Sequence, residues 1–252
     1  MWRIYEGTSD LDLAALRNQF ERLHGYWSED VDAALNADPH YFAGYLKMAD
    51  VSLGSTHLDP KVRALVMVVA NASVTLLKPQ EVRRNIKVAL NAGATKDEVR
   101  EALELASSSG IHAYWSCISL FMEQVEEHGF SLDEVFPKDV HYETLKKDFI
   151  ATRGVWSEGV EAMARPSPAF FEGYTEWTSA PWRNGSLTPA VRELLYLTVS
   201  IQYGTEGGMS AMRLHMKSAF DNGATPQQIL QVMQIVSCLG LLSVLAGARE
   251  II

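Results

Sequence analysis

The chain has 252 residues, 47% of them hydrophobic and 21% charged, so it can bury a substantial core and is neither a disordered nor a fibrous protein. Its 22 Lys and Arg against 31 Asp and Glu give a net charge of −9, which argues against binding to nucleic acid or to an anionic membrane. No uninterrupted apolar run reaches the ~18 residues of a membrane span, no export signal is recognisable, and the two cysteines suit a reducing compartment, so we expect a cytoplasmic protein.

Read in chain order, the sequence repeats itself. Trp27-Ser28-Glu29 returns as Trp156-Ser157-Glu158, an offset of 129 residues. Leu58-x-Pro60-x-Val62-Arg63 returns at the same offset, and Gly93-Ala94-Thr95 returns one residue later, at an offset of 130. We therefore predict a first repeat over residues 1–130, a connecting segment over 131–150 and a second repeat over 151–252.

Helix start and stop signals occur in pairs, one in each copy. An N-cap residue followed by proline is found at Asp38-Pro39, Asp59-Pro60, Ser167-Pro168 and Thr188-Pro189. Thr95 and Thr225 each begin a capping box, and Gly93 and Gly223 lie where the preceding helix should end. Apolar residues between these signals follow helical spacing. The pattern predicts an all-α fold with about five helices in each copy.

His215 is the strongest candidate for acid–base chemistry. It lies on a predicted helix over residues 209–222, among small side chains that leave room beside an imidazole. A glycine-rich turn precedes this helix and would bring Glu206 over the ring, and a histidine with a nearby carboxylate can transfer a proton near neutral pH. The alternative interpretation is a core histidine that hydrogen-bonds to a backbone carbonyl.

The first copy has Asn85 at the position of His215. Asparagine cannot transfer a proton at neutral pH, although it can orient a carbonyl or carboxylate group. Glu81 precedes it by one turn on the same face, and its alternative role is that of a solvated first-turn carboxylate. We expect the acid–base site to belong mainly to the second copy, with Asn85 and Glu81 as candidate substrate-binding residues.

Three more side chains are candidates for substrate contact. Arg192, the repeat of Arg63, would either hold an acidic group or tie helices together through an internal carboxylate. Trp182 and Tyr203 would either roof a small-molecule pocket or belong to the core. Because the sequence shows no metal-ligand spacing and no nucleotide-binding motif, we expect neither a metal nor a cofactor.

The second half resembles a known family through two segments, Trp182-Arg183-x-Gly185-x-Leu187-x-x-x-x-Arg192 and Leu214-His215-Met216-Lys217-x-Ala219-Phe220-x-Asn222-Gly223. They resemble the γ-carboxymuconolactone decarboxylase family of the alkylhydroperoxidase D-like superfamily, over about residues 169–252 and more weakly over 41–123. The resemblance implies two tandem alkylhydroperoxidase D-like helical repeats. It also implies a homo-oligomer, which for a tandem chain would be a dimer or a trimer.

The redox branch of that superfamily has a Cys-x-x-Cys motif on the helix that bears the histidine. The corresponding residues are Gly208 and Ala211 here, so a thiol peroxidase is disfavoured. The decarboxylase branch implies a cofactor-independent lyase that acts on a small carboxylated, lactone-like metabolite. In that interpretation His215 is the general acid or base and Glu206 relays its proton, while Met209-Ser210-Ala211 replaces the family's run of glutamates. Isomerisation or hydrolysis of a lactone, and a non-catalytic binding or assembly protein on the same scaffold, remain alternatives.

Overall fold

The computed structural model describes residues 11–153, 156–203 and 206–250, except for the side chains of residues 152, 153, 206 and 207. Its described residues form α-helices and short 3-10 turns and contain no β-strand, which confirms the predicted all-α fold. The first seven helices are α1 Leu13–His24, α2 Glu29–Ala37, α3 Pro39–Leu53, α4 Pro60–Ala72, α5 Pro79–Asn91, α6 Lys96–Ser107 and α7 Ile111–Glu127. A short α8, Leu132–Val135, leads to α9 Val140–Arg153, α10 Glu158–Ala164, α11 Pro168–Asn184, α12 Pro189–Ile201, α13 Glu206–Asp221, α14 Pro226–Ser237 and α15 Leu241–Leu245.

The helices α1–α7 recur in the same order as α9–α15, so each copy contains seven helices rather than about five. Helix α9 packs on α11 as α1 packs on α3. The connecting segment predicted over residues 131–150 therefore contains most of α9, which is the equivalent of α1 in the second copy. Only α8 has no counterpart among the described helices of the first copy.

Most of the predicted helix signals act as expected. Thr95 and Thr225 both form complete capping boxes, and Gly93 and Gly223 adopt left-handed conformations with φ of +94° and +90°. Ser167 occupies the predicted N-cap position of α11, but its side chain makes no capping hydrogen bond. These local signals explain where the helices begin and end in both copies.

The two repeats share one core, in which α4 of the first repeat packs against α12 of the second. Every residue from 192 to 200 in α12 is buried, and α4 is nearly as enclosed. Helices α6 and α14 pack across both central helices. The repeats are therefore interlocked, and each supplies part of the packing surface of the other.

Glu101 of α6 links the first repeat to the second. Its fully buried carboxylate accepts hydrogen bonds from the backbone N–H of Ser186 at 2.6 Å, the backbone N–H of Leu187 at 2.9 Å and Arg192 Nε at 2.6 Å. A Cβ on Gly185 would lie 2.5 Å from both the Glu101 carboxylate and the Arg192 guanidinium, so the turn has no room for a side chain there. The turn before α12 is thus held by the first repeat.

Gln231 of α14, the repeat equivalent of Glu101, makes the reciprocal link. Its Oε1 accepts from the backbone N–H of Leu58 at 2.8 Å, and its Nε2 donates to two carbonyls between the end of α3 and the following turn, at 2.7 and 3.1 Å. Leu58 is the repeat equivalent of Leu187. Each repeat therefore holds the turn before the central helix of the other, and we call Glu101 and Gln231 the reciprocal clamp.

One stretch of the described chain, Pro226–Glu250, is apolar enough by length and composition to cross a membrane, since an 18-residue window within it has a mean hydropathy of 2.1 and is 39% buried. It is not one regular helix, because 3-10 turns at Cys238–Gly240 and Ala248–Glu250 interrupt it. Its first part, α14, packs on α3, α4 and α12. Since core helices meet the same criterion, these contacts favour a core element.

The clamp makes a prediction about stability. Glu101→Ala should lower the free energy of unfolding by about 3–5 kcal/mol, because it leaves the buried guanidinium of Arg192 without a counter-charge. Glu104→Ala is the matched control, since Glu104 lies on the same helix and pairs with Arg100 at the surface, where ion pairs contribute little. Urea unfolding of both variants measures the difference. Two equally small effects would contradict the role assigned to Glu101.

Candidate functional site

The site is built on α12, whose start is fixed by the reciprocal clamp. Thr188 caps the helix through the backbone N–H of Val191, and the pair of Arg192 with Glu101 anchors its first turn. The next residue, Glu193, is only 4% exposed although its helix is otherwise largely apolar. A buried carboxylate must be compensated, so its partner identifies a centre of polar chemistry in the core.

That partner is His215 of α13. Its Nδ1 lies 2.8 Å from Glu193 Oε2, and its ring stacks on Tyr196 with centroids 4.8 Å apart and an interplanar angle of 14°. A carboxylate only accepts hydrogen bonds, so Nδ1 is the donor and Nε2 is the nitrogen left for other chemistry. The side chain of His215 is 18% exposed, which makes it partly accessible from outside the core. Glu193 and Tyr196 together fix the orientation of the ring.

A second imidazole comes from the first repeat. His112, near the start of α7, stacks on Tyr203 with ring centroids 4.6 Å apart, and α7 packs on α13. Burial, together with the charge of His215, lowers the pKa of His112 to about 4, so this ring is neutral at pH 7. Burial also raises the pKa of Tyr203, whose hydroxyl hydrogen-bonds to Ser109. The site therefore lies where the two repeats meet.

The site residues that were predicted in the second copy do not all lie together in the structure. Tyr203 reaches the site through His112, whereas Arg192 lies at the clamp with its guanidinium 4.6 Å from the ring centroid of Trp182. Arg192 thus makes the interhelical tie that was the alternative to substrate binding, and Trp182 packs against it. Glu206 begins α13, but its side chain lies outside the described residues, so its role stays a prediction.

Asn85 and Glu81 make their described contacts inside the first repeat. Asn85 is buried and donates to the backbone carbonyl of Glu81 at 2.9 Å. The Glu81 carboxylate pairs with Arg84 at 2.6 Å, and that guanidinium lies 4.1 Å from the ring centroid of Tyr26. The position equivalent to His215 therefore belongs to a different polar cluster, one on α5.

Sequence reasoning missed Glu193 and did not single out His112. A signal for Glu193 exists in the comparison of the two copies, where Ala64 and Asn85 replace Glu193 and His215 together. Two polar residues that differ in concert between repeats indicate a shared contact. His112 has an equivalent apolar residue, Leu242, but nothing local indicates which helix it meets.

The structure also explains why α13 lacks the first cysteine of a redox motif. A Cβ on Gly208 would lie 2.5 Å from the backbone oxygen of Tyr203, closer than real Cβ atoms come. Cys117 is exposed on α7, while Cys238 is buried and burial raises the pKa of its thiol, which disfavours the reactive thiolate. Within the described ranges, no group of three or more His, Cys, Asp or Glu side chains is placed to hold a metal ion.

Comparisons with known proteins agree with the repeat. Residues 39–112 and 168–251 each match the model of the carboxymuconolactone decarboxylase family. Among solved structures, the chain is similar to a protein from Burkholderia xenovorans LB400 that is provisionally named a γ-carboxymuconolactone decarboxylase subunit. The TM-score is 0.86 and the identity 34%, over 95% of this chain and 96% of the other. A comparison with curated proteins finds no match.

The close approach at Gly208 predicts opposite effects of two glycine substitutions. Gly208→Ala should lower the free energy of unfolding by about 1–3 kcal/mol, since its Cβ would collide with the Tyr203 backbone. Gly44→Ala, in a helix and with open space around it, should raise that free energy by about 0.5–1 kcal/mol. Thermal and urea unfolding measure both. A neutral or stabilising Gly208→Ala would contradict the close approach of Gly208 to the Tyr203 backbone.

The neutral, buried His112 predicts a dependence of stability on pH. Its pKa of about 4 in the folded protein is below the ordinary value of 6.5, so between these pH values the unfolded chain binds more protons. Stability should be complete above pH 6.5 and fall as the pH drops toward 4. His112→Leu should reduce the loss of unfolding free energy between pH 7 and pH 5 by up to about 2 kcal/mol. The surface variant His40→Leu should leave that loss unchanged.

Proposed function

The chain belongs to the carboxymuconolactone decarboxylase family, and from this premise we propose that it is a cofactor-independent lyase that removes carbon dioxide from a small carboxylated lactone. The observation that carries the proposal is the contact of His215 Nδ1 with Glu193 Oε2 at 2.8 Å. An imidazole oriented by a buried carboxylate is a suitable group for transferring a proton near neutral pH.

The chemistry of such a reaction requires a proton donor. When the bond from the ring carbon to the carboxylate breaks, carbon dioxide leaves and the electron pair is delocalised through a conjugated ring double bond onto the lactone carbonyl, as an enolate. His215, protonated on both ring nitrogens, gives its Nε2 proton to a carbon of that enolate and regains one from water. The overall reaction consumes one proton and one carboxylate, and it needs no oxidant, reductant or thiol.

The surroundings of His215 suit this role. Glu193 holds the ring in one orientation, which leaves Nε2 to exchange the proton, and Tyr196 restricts the ring from its face. We assign to Glu193 the role of orienting the ring, because Glu193 makes the contact, while the proton relay predicted for Glu206 stays a prediction. Since Glu193 is 4% exposed, water competes little with its hydrogen bond to the imidazole.

The proposal is tested by release of carbon dioxide from γ-carboxymuconolactone and from a panel of related lactone acids. His215→Ala should lower turnover by roughly 10²–10⁴ at an unchanged helical content, because general acid catalysis contributes about that much. Glu193→Gln should lower turnover less, since the amide oxygen still accepts from Nδ1. His40→Ala, an exposed imidazole on α3, is the control and should be fully active.

Melting temperatures measured on the same preparations separate catalysis from stability. A His215→Ala protein that melts early but keeps its turnover per folded molecule would make His215 a scaffold residue and refute the mechanism. Tight binding of a lactone acid without any release of carbon dioxide would instead indicate a binding protein on this scaffold.

A further inference from the structure

A buried nitrogen of the first repeat lies unused on α7, the helix that packs against the helix of the proposed catalytic histidine. His112 is 8% exposed, and its Nδ1 has no hydrogen-bond partner among the described residues. Its ring is held from one side by Tyr203, and the charge of His215 is close enough to act on it. Buried polar atoms are nearly always hydrogen-bonded, and a bound ligand is one explanation for an unpartnered atom on a helix that packs against a reactive site.

The fold does not need an imidazole at this position. The equivalent residue of the second repeat is Leu242, an apolar side chain that packs against the main core. A leucine at residue 112 would avoid the energetic cost of an unsatisfied buried nitrogen. The polar residue, His112, therefore lies on α7, which packs on the helix of His215, whereas the equivalent helix α15 has the apolar residue Leu242.

The chemistry of a neutral imidazole suggests what it contacts. At pH 7 the ring is uncharged and has one N–H donor and one acceptor nitrogen. It therefore has no positive charge with which to bind the carboxylate of the substrate. A neutral N–H placed against a carbonyl oxygen can stabilise the negative charge that develops there, and it need not give up its proton. In the proposed reaction, charge develops on the lactone carbonyl.

We propose that His112 is a substrate-binding residue supplied by the first repeat, which donates a hydrogen bond from Nδ1 to the carbonyl oxygen of the lactone. This inference rests on the proposed function and extends it. No bond to hydrogen breaks at His112: the enolate oxygen accepts the hydrogen bond while His215 gives its proton to the carbon. The active site is then shared, with the proton donor on α13 and the oxyanion partner on α7.

The experiment uses ¹⁵N-histidine-labelled full-length protein and a saturated probe, γ-butyrolactone-γ-carboxylate, which has no conjugated system to accept the electron pair of decarboxylation. Adding the probe should shift the ring nitrogen signals of His112 and His215. The signals of His24, a buried histidine that hydrogen-bonds to Tyr45, should not change. His112→Leu should weaken probe binding roughly ten-fold, the loss expected for one hydrogen bond of about 1.4 kcal/mol.

Two further variants separate binding from packing. His112→Asn, which retains an N–H donor near the position of Nδ1, should restore part of the affinity that His112→Leu loses. His24→Leu should change the melting temperature and leave probe affinity unchanged. With a reactive lactone acid, His112→Leu should lower kcat about 10²-fold, as expected when one oxyanion donor is removed.

The outcomes distinguish this inference from the proposed function. A probe that shifts His215 but not His112, or a His112→Leu protein that binds the probe as tightly as the wild type, overturns the role of His112 and leaves the decarboxylase proposal standing. A probe that shifts neither ring removes the lactone-acid function and this inference with it.

Discussion

The exchange of hydrogen bonds between the repeats, in which Glu101 and Gln231 each reach into the other copy, is the interaction on which the rest of the structure depends. Leu58 and Leu187 are the buried residues of the turns that lead into α4 and α12, and the backbone N–H group of each needs a hydrogen-bond acceptor. Glu101 and Gln231 supply those acceptors from outside. The turn before each central helix is therefore held partly by the other repeat, and the two copies pack against each other around a shared core.

The functional site follows from that constraint. Arg192 is bound by Glu101, and Glu193 is the next residue along the same helix, so the clamp that joins the repeats also sets where the buried carboxylate lies. Glu193 then orients His215, and α7 of the first repeat, which carries His112, packs on the helix of His215. The contact between the repeats, Glu101 with Arg192, lies next to the contact that orients His215. A change that disrupts the interface between the repeats should therefore also displace His215.

The two copies have diverged in chemistry while keeping their helices. Where the second copy has Glu193 and His215, the first has Ala64 and Asn85, which form no acid–base pair. His112 shows the opposite asymmetry, since its partner in the second copy is Leu242. In the proposed reaction, the first repeat contributes one polar residue, His112, to the site of the second. The two copies can therefore differ in their polar residues while they keep the same helices, because the residues that cap the helices are retained in both.

The sequence by itself determined the duplication, the all-α class, the ends of most helices and the helix that bears His215, because caps and helical spacing act over a few residues. Only the tertiary structure decided which side chains meet. It paired His215 with Glu193 on the neighbouring helix, where the sequence had offered Glu206 in the turn just before it, and it bound Arg192 to Glu101, 91 positions earlier. Such contacts depend on the angle and depth at which whole helices pack, and no local pattern encodes these quantities.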